Sequence, residues 1–180
     1  PKGVKPAELP DYSKAPEVLL LRELISDSQR RRLAAQREII RRRSQVDLGK
    51  LLHLAGDESV SLAGRIASLF AFSQAADERT FSAIATLLGD RQLAAWAIRA
   101  LTDDDRRLKS VDPTSIVRLV DASDPRTRRE AVRALGRLGN LSIAGNLAVR
   151  LNDVDPIVRH VAVAALARLN AVKQCLAVLD

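Results

Sequence analysis

Two histidines, three consecutive aspartates, one tryptophan, one cysteine and two arginine triplets are the side chains of this chain whose chemistry could exceed packing. His53 and His160 are far apart, and neither has a cysteine or carboxylate nearby at a metal-ligand spacing, so both read as packing or surface residues. Asp103, Asp104 and Asp105, followed by Arg106 and Arg107, could gather a cation. The run lacks the alternating ligands and the glycine of a calcium loop, which predicts a charged turn between helices instead. Trp96 and Asp90 are the residue types of a base-excision pocket, but Trp96 shares a helix with Ala97 and Leu101, which assigns it to packing. Cys175 cannot form an internal disulfide and says nothing of redox compartment. With no glycine-rich phosphate loop and no nucleophile arrangement, the residues predict no enzyme, cofactor or metal.

The arginines are the stronger signal. Arg30, Arg31 and Arg32, then Arg37, then Arg41, Arg42 and Arg43 ring one helix in a chain of net charge +7. Arg30, Arg31, Arg37, Arg41 and Arg42 form a candidate partner-binding face. A phosphate backbone would be drawn to it. Three arginines at a helix start oppose its dipole, however, so acids should compensate, with Asp27, Glu17, Glu23 and Glu38 nearby. A solvated or internally paired face is the foremost expectation, followed by an acidic protein partner and then nucleic acid, because Asp103 to Asp105 interrupt any continuous basic track.

What positions these side chains is a sentence written twice. DPRTRREAVRALGRLG starts at Asp124 and DPIVRHVAVAALARLN at Asp155, 31 residues later. A helical-repeat period of this length predicts stacked helix pairs with no central active site. Asp124 and Asp155 each precede a proline that suits the first helical position, where its missing N–H costs nothing, so each is a cap. Ala131, Leu135 and Leu138 fall on one buried stripe, as do Ala162, Leu166 and Leu169. Arg128 and Arg159, one turn in, can reach the capping carboxylate of their own or an adjacent repeat, as a structural ladder. Asp90 heads a third copy with Ala97, Ile98, Ala100 and Leu101. A fourth has Asp57 or Glu58 at the cap and Ala67, Leu69 and Phe70 buried, and a fifth has Asp27 or Ser28 at the cap with Ala35 and Ile39 inside.

Partner helices precede each of these, over Pro16 to Ile25, Val46 to Ala55, Arg79 to Leu88, Pro113 to Asp121 and Leu141 to Leu151. A sixth, Ala171 to Leu179, trails. The expected fold is all-α, an α-solenoid of about five helix pairs plus one trailing helix over residues 16–180, after an extended, proline-bearing linker at 1–15. A hydrophobic content of 47% suffices for a core, while 3% aromatics suits alanine and leucine packing. No segment has the uninterrupted apolar run of a membrane span, and no signal segment opens the chain. The abrupt start and the unpaired last helix read as a fragment or processed domain of a longer protein, with self-association through the C-terminal helix expected of an exposed end.

The two copied sentences resemble HEAT repeats of the short type, and the resemblance covers about residues 16–180. More narrowly, the opening PKGVKP and the RRxxAQRExxRR stretch, here Arg31 to Arg42, resemble the segment following the β-propeller in large dehydrogenase-like proteins of planctomycetes. Those proteins run from propeller to HEAT array to c-type haem domain. That resemblance implies a periplasmic or cell-envelope setting, with oxidoreductase activity residing in other domains. Haem attachment needs Cys-x-x-Cys-His, and Cys175 has neither a second cysteine nor an adjacent histidine. The expected function is therefore a noncatalytic interaction or spacer module, whose partners are proteins or neighbouring domains. The alternative is a nucleic-acid-binding repeat protein with a basic groove; a helical-repeat lyase or repair enzyme would need a convergent pocket that the sequence does not supply.

Overall fold

Asp124 shows why the helices start where they do. Its carboxylate accepts from the backbone N–H of Arg126 at 3.3 Å and of Thr127 at 2.9 Å, and from the Thr127 hydroxyl at 2.7 Å. These bonds hold the carboxyl below the usual aspartate range against the opposing effect of burial. Asp155 repeats the arrangement on Ile157 and Val158 at 2.8 and 3.1 Å. The helices that follow, α8 (Pro125–Leu138) and α10 (Pro156–Arg168), both carry proline at the first turn and end on equivalent left-handed residues, Gly139 at φ 74° and Asn170 at φ 52°.

The structure, a computed structural model, describes residues 10–177, and no strand occurs among them. In chain order the remaining α-helices are α1 (Glu17–Leu24), α2 (Gln29–Arg41), α3 (Leu48–Gly56), α4 (Leu62–Ala75), α5 (Glu78–Phe81), α6 (Ala94–Thr102), α7 (Thr114–Val117), α9 (Ala144–Ala148) and α11 (Val172–Leu176). Five helix pairs and the trailing α11 give an all-α fold of the α-solenoid type. The second helix of each pair is α2, α4, α6, α8 or α10. First helices in the last three pairs are shorter than the sequence predicts: α5, α7 and α9 each run into 3-10 segments, Ser82–Gly89, Arg118–Asp121 and Val149–Asn152.

The chain forms two compact units, Pro1–Asp77 and Glu78–Asp180. In the first, Leu20, Leu24, Ala35, Ile39, Leu51, Ala55, Leu69 and Phe72 make the core. Residues 1–9 of the expected linker lie outside the described residues, but 10–15 are docked. Tyr12 and Ala15 are buried, the Tyr12 hydroxyl donates to Glu23 at 3.1 Å, and Arg42 donates to the carbonyls of Ala15 and Tyr12 at 2.9 and 2.8 Å. In the second unit the core runs from Phe81, Ile84 and Leu88 through Ile98, Leu101, Ile116 and Leu135 to Leu147, Val158, Ala162 and Leu166. The end of the sixth first helix, 178–180, is likewise outside the described residues.

The fourth copy needs a correction of register. Asp57 does not cap α4; its carboxylate closes a turn on the Ser59 N–H and hydroxyl at 2.9 and 2.7 Å. Ser61 caps the helix instead, accepting from Gly64 N–H at 3.3 Å. The buried positions consequently become Gly64, Arg65, Ser68, Leu69, Ala71 and Phe72, and the expected Ala67 and Phe70 are half-exposed. Leu138, placed on the buried stripe of α8 by its spacing, is also half-exposed, whereas its counterpart Leu169 is buried. Asp90, expected as the cap of the third copy, stands four residues before α6, whose N-cap is Leu93 with no side-chain bond; its carboxylate accepts from Gln92 and Leu93 N–H at 2.8 and 3.1 Å in the turn that leads into the helix.

Candidate interaction surface

Arg128 and Arg159, expected to reach the capping carboxylates, bond other acceptors. Arg128 grips Asp153 with two bonds, Nε to Oδ2 at 2.8 Å and Nη2 to Oδ1 at 2.7 Å, and both residues are buried. Its remaining Nη1 donates to the carbonyls of Ala122 and Ser123 at 2.9 and 3.0 Å. Asp153 lies two residues before the cap Asp155, whose N–H it accepts at 2.9 Å, so one carboxylate ties α8 to the entry of α10. The bidentate bond from Arg128 holds the Asp153 carboxyl below the usual range, against burial, and raises Arg128 in turn. Arg159, the counterpart of Arg128, donates only to the carbonyls of Asp153 and Val154, at 2.7 and 3.4 Å.

This pattern extends into the first unit. Arg32, four residues after the cap position Ser28, donates to the carbonyls of Ser26 and Asp27 at 2.7 and 2.9 Å. Arg65, four after Ser61, is buried and donates Nε to Ala55 O at 2.9 Å. The sequence signal that could have found this role is an arginine four positions after the cap of α2, α4, α8 and α10; α6 has none. Asp153 was missed because its counterpart 31 residues earlier is Ala122, so the position does not recur.

The basic cluster is largely engaged. Arg31 meets Glu23 at 3.5 Å, Arg41 is paired with Glu38 through Nε and Nη2, and Arg42 meets Glu38 at 2.6 Å besides holding the 10–15 segment. Glu17 turns elsewhere, to Lys50 at 3.2 Å and the Asp47 N–H at 3.1 Å. Arg30 and Arg37 are exposed. Of the five face residues, Arg42 is therefore a structural clamp, and Arg41 and Arg31 share their charge with acids of their own unit.

Second helices lie side by side within each unit and leave grooves between them. In the first unit, a cleft of about 340 Å³ between α2 and α4 is floored by Leu33, Ala63, Ile66, Ala67 and Phe70. Its rim is uncharged amide, from Gln29, Gln36 and Gln74, apart from Arg32, which is spent on its own helix entry. In the second unit, a cleft of about 480 Å³ between α8 and α10 is edged by charge: Arg133 meets Asp103 at 3.1 Å and Glu130 at 2.7 Å, and Arg137 meets Asp105 at 2.8 Å. A third cleft, of about 560 Å³, lies between the first helices α1 and α3, with Leu21, Ile25 and Leu54 inside and Arg22, Asp47, Lys50 and His53 around it.

Residues 113–179 match the family model for HEAT repeats. The chain is an all-α helical-repeat protein, HEAT-like over those residues. No curated protein matches the chain. Among solved structures it is similar to a crystal structure titled as an engineered protein of the Northeast Structural Genomics Consortium. The TM-score is 0.58 at 18% identity, over 94% of this chain and 85% of that one, a likeness of fold alone.

Among the described residues the other chemically suggestive side chains do not converge. His53 and His160 are both exposed and sit in different units, and no grouping of three metal-ligating side chains occurs among the described residues. Asp103 accepts from Arg99 at 3.2 Å as well as Arg133, Asp104 accepts from Arg106 at 2.9 Å, and Asp105 meets Arg137, so the triple aspartate is an interhelix turn that pairs with α8. Trp96 is the exception to its expected packing. It is half-buried, with the Arg126 guanidinium 3.9 Å from the ring centroid and Arg99 at 5.8 Å, so it binds arginine on its faces where a core residue would meet aliphatics. Cys175 is half-buried on α11. No helix of the described residues is long and apolar enough to cross a membrane.

Proposed function

We propose that this chain is a noncatalytic protein-interaction and spacer module that receives an apolar segment of a protein partner in the α2–α4 groove. The observation that carries this reading is the groove's composition. Leu33 remains 44% exposed beside half-exposed Ile66, Ala67 and Phe70, and the surrounding rim is neutral glutamine. Apolar floors with adaptable amide rims suit a polypeptide, whereas a phosphate backbone needs several free cations along one track. The pairing of Arg31, Arg41 and Arg42 with acids and carbonyls supports the same preference. The finer setting, between a propeller and a haem domain of a dehydrogenase-like protein of the cell envelope, rests on the resemblance of the Arg31 to Arg42 stretch.

Photo-crosslinking side chains placed at Gln36 and Gln74 test the groove. Adducts to protein are expected from both, to be lost with Leu33→Asp and absent from a control position at Lys50. Equal labelling from all three, or none from the groove, overturns the reading. In parallel, salt-steep binding to DNA at low ionic strength would favour the nucleic-acid alternative; no such binding is expected.

A further inference from the structure

We infer that the outer face of α10 is a second docking surface, built to receive a helix led by an acidic turn. It deepens the interaction role proposed above but lies in the other unit, so the two stand or fall separately. The inference rests on three equivalent stripes in the second unit. On α6, Ala94, Ile98 and Thr102 are buried where α8 packs. On α8, the stripe Arg128, Val132 and Gly136 is buried where α10 packs: Arg128 takes Asp153, Val132 is fully buried one turn on, and Gly136 lies against Ala165. On α10, the same stripe reads Arg159, Val163 and Ala167, 31 residues further along. All three are exposed, Val163 to 57%, and Val154 and Ile157 beside them are 89% and 54% exposed.

The occupant follows from what α10 itself brings to α8. It supplies a carboxylate two residues before its cap, which Arg128 holds, and a small residue, Ala165, where the helices come closest. Among the described residues Arg159 has no carboxylate. Its Nη1 is committed to carbonyls while Nε and Nη2, the two atoms that grip Asp153 in the Arg128 copy, make no bond there. The surface therefore fits an amphipathic helix of the same repeat type, preceded by an Asp-x-Asp-Pro turn like that at 153–156. Ala167 carries a methyl that Gly136 lacks, and a methyl at Gly136 would come within 2.6 Å of Ala165. The occupant accordingly needs glycine at the Ala165 position and a slightly wider seat than α10 takes on α8, since the methyl would also stand 2.8 Å from the Ala165 Cα. A second copy of this chain fits less well, because its first repeat has Ser26 two residues before the cap position, and its own Asp153 is buried on Arg128.

The probe is a helix-stapled peptide with the sequence of residues 153–169, carrying glycine in place of its Ala165, its helicity checked by circular dichroism. Titrated by fluorescence anisotropy against the full chain, it is expected to bind one to one. Replacing the peptide's leading aspartate by asparagine should weaken binding about tenfold, as should Arg159→Ala in the chain, and the two together should weaken it no further than either alone. Val163→Asp in the chain should abolish binding. A helical peptide that does not bind, or one whose affinity ignores both Arg159→Ala and Val163→Asp, overturns the proposal. So does a concentration-dependent dimer of the chain alone that Val163→Asp disperses, since a second copy would then be the occupant. None of these outcomes bears on crosslinking from Gln36 and Gln74.

Discussion

Helices α8 and α10 are spelled almost alike and live in different surroundings. Both start on Asp-Pro, both place arginine four residues after the cap, and both end on a left-handed residue. Yet Arg128 is buried on a bidentate carboxylate and Arg159 is exposed on backbone carbonyls; Val132 is wholly buried and Val163 is 57% exposed. In a stacked repeat, burial is conferred by the next helix and not by the residue itself. The same letters thus carry different energies at different places in the array.

The sharpest break of this comparison is to remove each arginine in turn. Arg128→Ala leaves the buried Asp153 carboxylate with only Arg150, at 3.4 Å, and the Asp155 N–H, and should cost about 2–4 kcal/mol. Arg159→Ala removes one part-buried and one exposed bond to carbonyls, with no carboxylate left behind, and should cost under about 1 kcal/mol. Urea denaturation of both variants measures the difference, and equal losses would mean that the ladder does not depend on its acceptor. Acid sharpens the test. The Asp153 carboxyl titrates below its ordinary 3.8 in the folded protein because Arg128 bonds its ionised form. Its stabilisation is therefore present above the unfolded value and lost as pH falls through the depressed one. Denaturation midpoints of Asp153→Asn should fall less steeply than those of the parent below about pH 4.

A smaller effect is expected where the helices touch. A Cβ at Gly136 would stand 2.6 Å from the Ala165 Cβ and 2.8 Å from its Cα, so Gly136→Leu forces α8 and α10 apart and should cost about 1–3 kcal/mol. Ala167→Leu, at the equivalent position on the open side of α10, should lie within about 0.5 kcal/mol of the parent. If the α10 substitution proved as damaging, the outer face would already be covered.

How much of this was legible depended on whether a residue acts within its own helix or across to another. Asp124 and Asp155 satisfy N–H groups two and three positions away, and that local geometry is written in the sequence. So was the buried register of α6, where Ala97, Ile98, Ala100 and Leu101 all proved internal. Asp153 acts on a residue 25 positions upstream in another repeat, and nothing in its own neighbourhood announces that. The slip on α4 has a different cause. Asp57 has the residue type of a cap but is consumed by its own turn with Ser59, and the cap falls to Ser61 four residues on. With the cap moved to Ser61, Arg65 falls into the ladder position beside Arg32, Arg128 and Arg159. The triplet Arg30 to Arg32 read as one charged patch for a related reason: composition cannot separate the arginine that closes a helix entry from the two that flank it.

The finest distinction between the two copies is at their ends. Asn170 holds φ at 52° while its N–H bonds Ala167 O at 3.1 Å and the Ala171 N–H bonds Leu166 O at 3.1 Å, which closes α10 with the two crossed bonds that satisfy its last carbonyls. Gly139 occupies the equivalent place after α8, where φ is 74° and an added Cβ meets nothing within 4 Å. Space is therefore not what selects glycine or asparagine there; the left-handed backbone is. Asn170→Ala should cost about 1 kcal/mol, and Asn170→Gly should stay within about 0.5 kcal/mol of the parent, since glycine's ease in this region is offset by its greater freedom when unfolded. Thermal melts resolve the pair, and an alanine variant as stable as the parent would show that this helix end frays without consequence, leaving the cap of α8 as the one that matters.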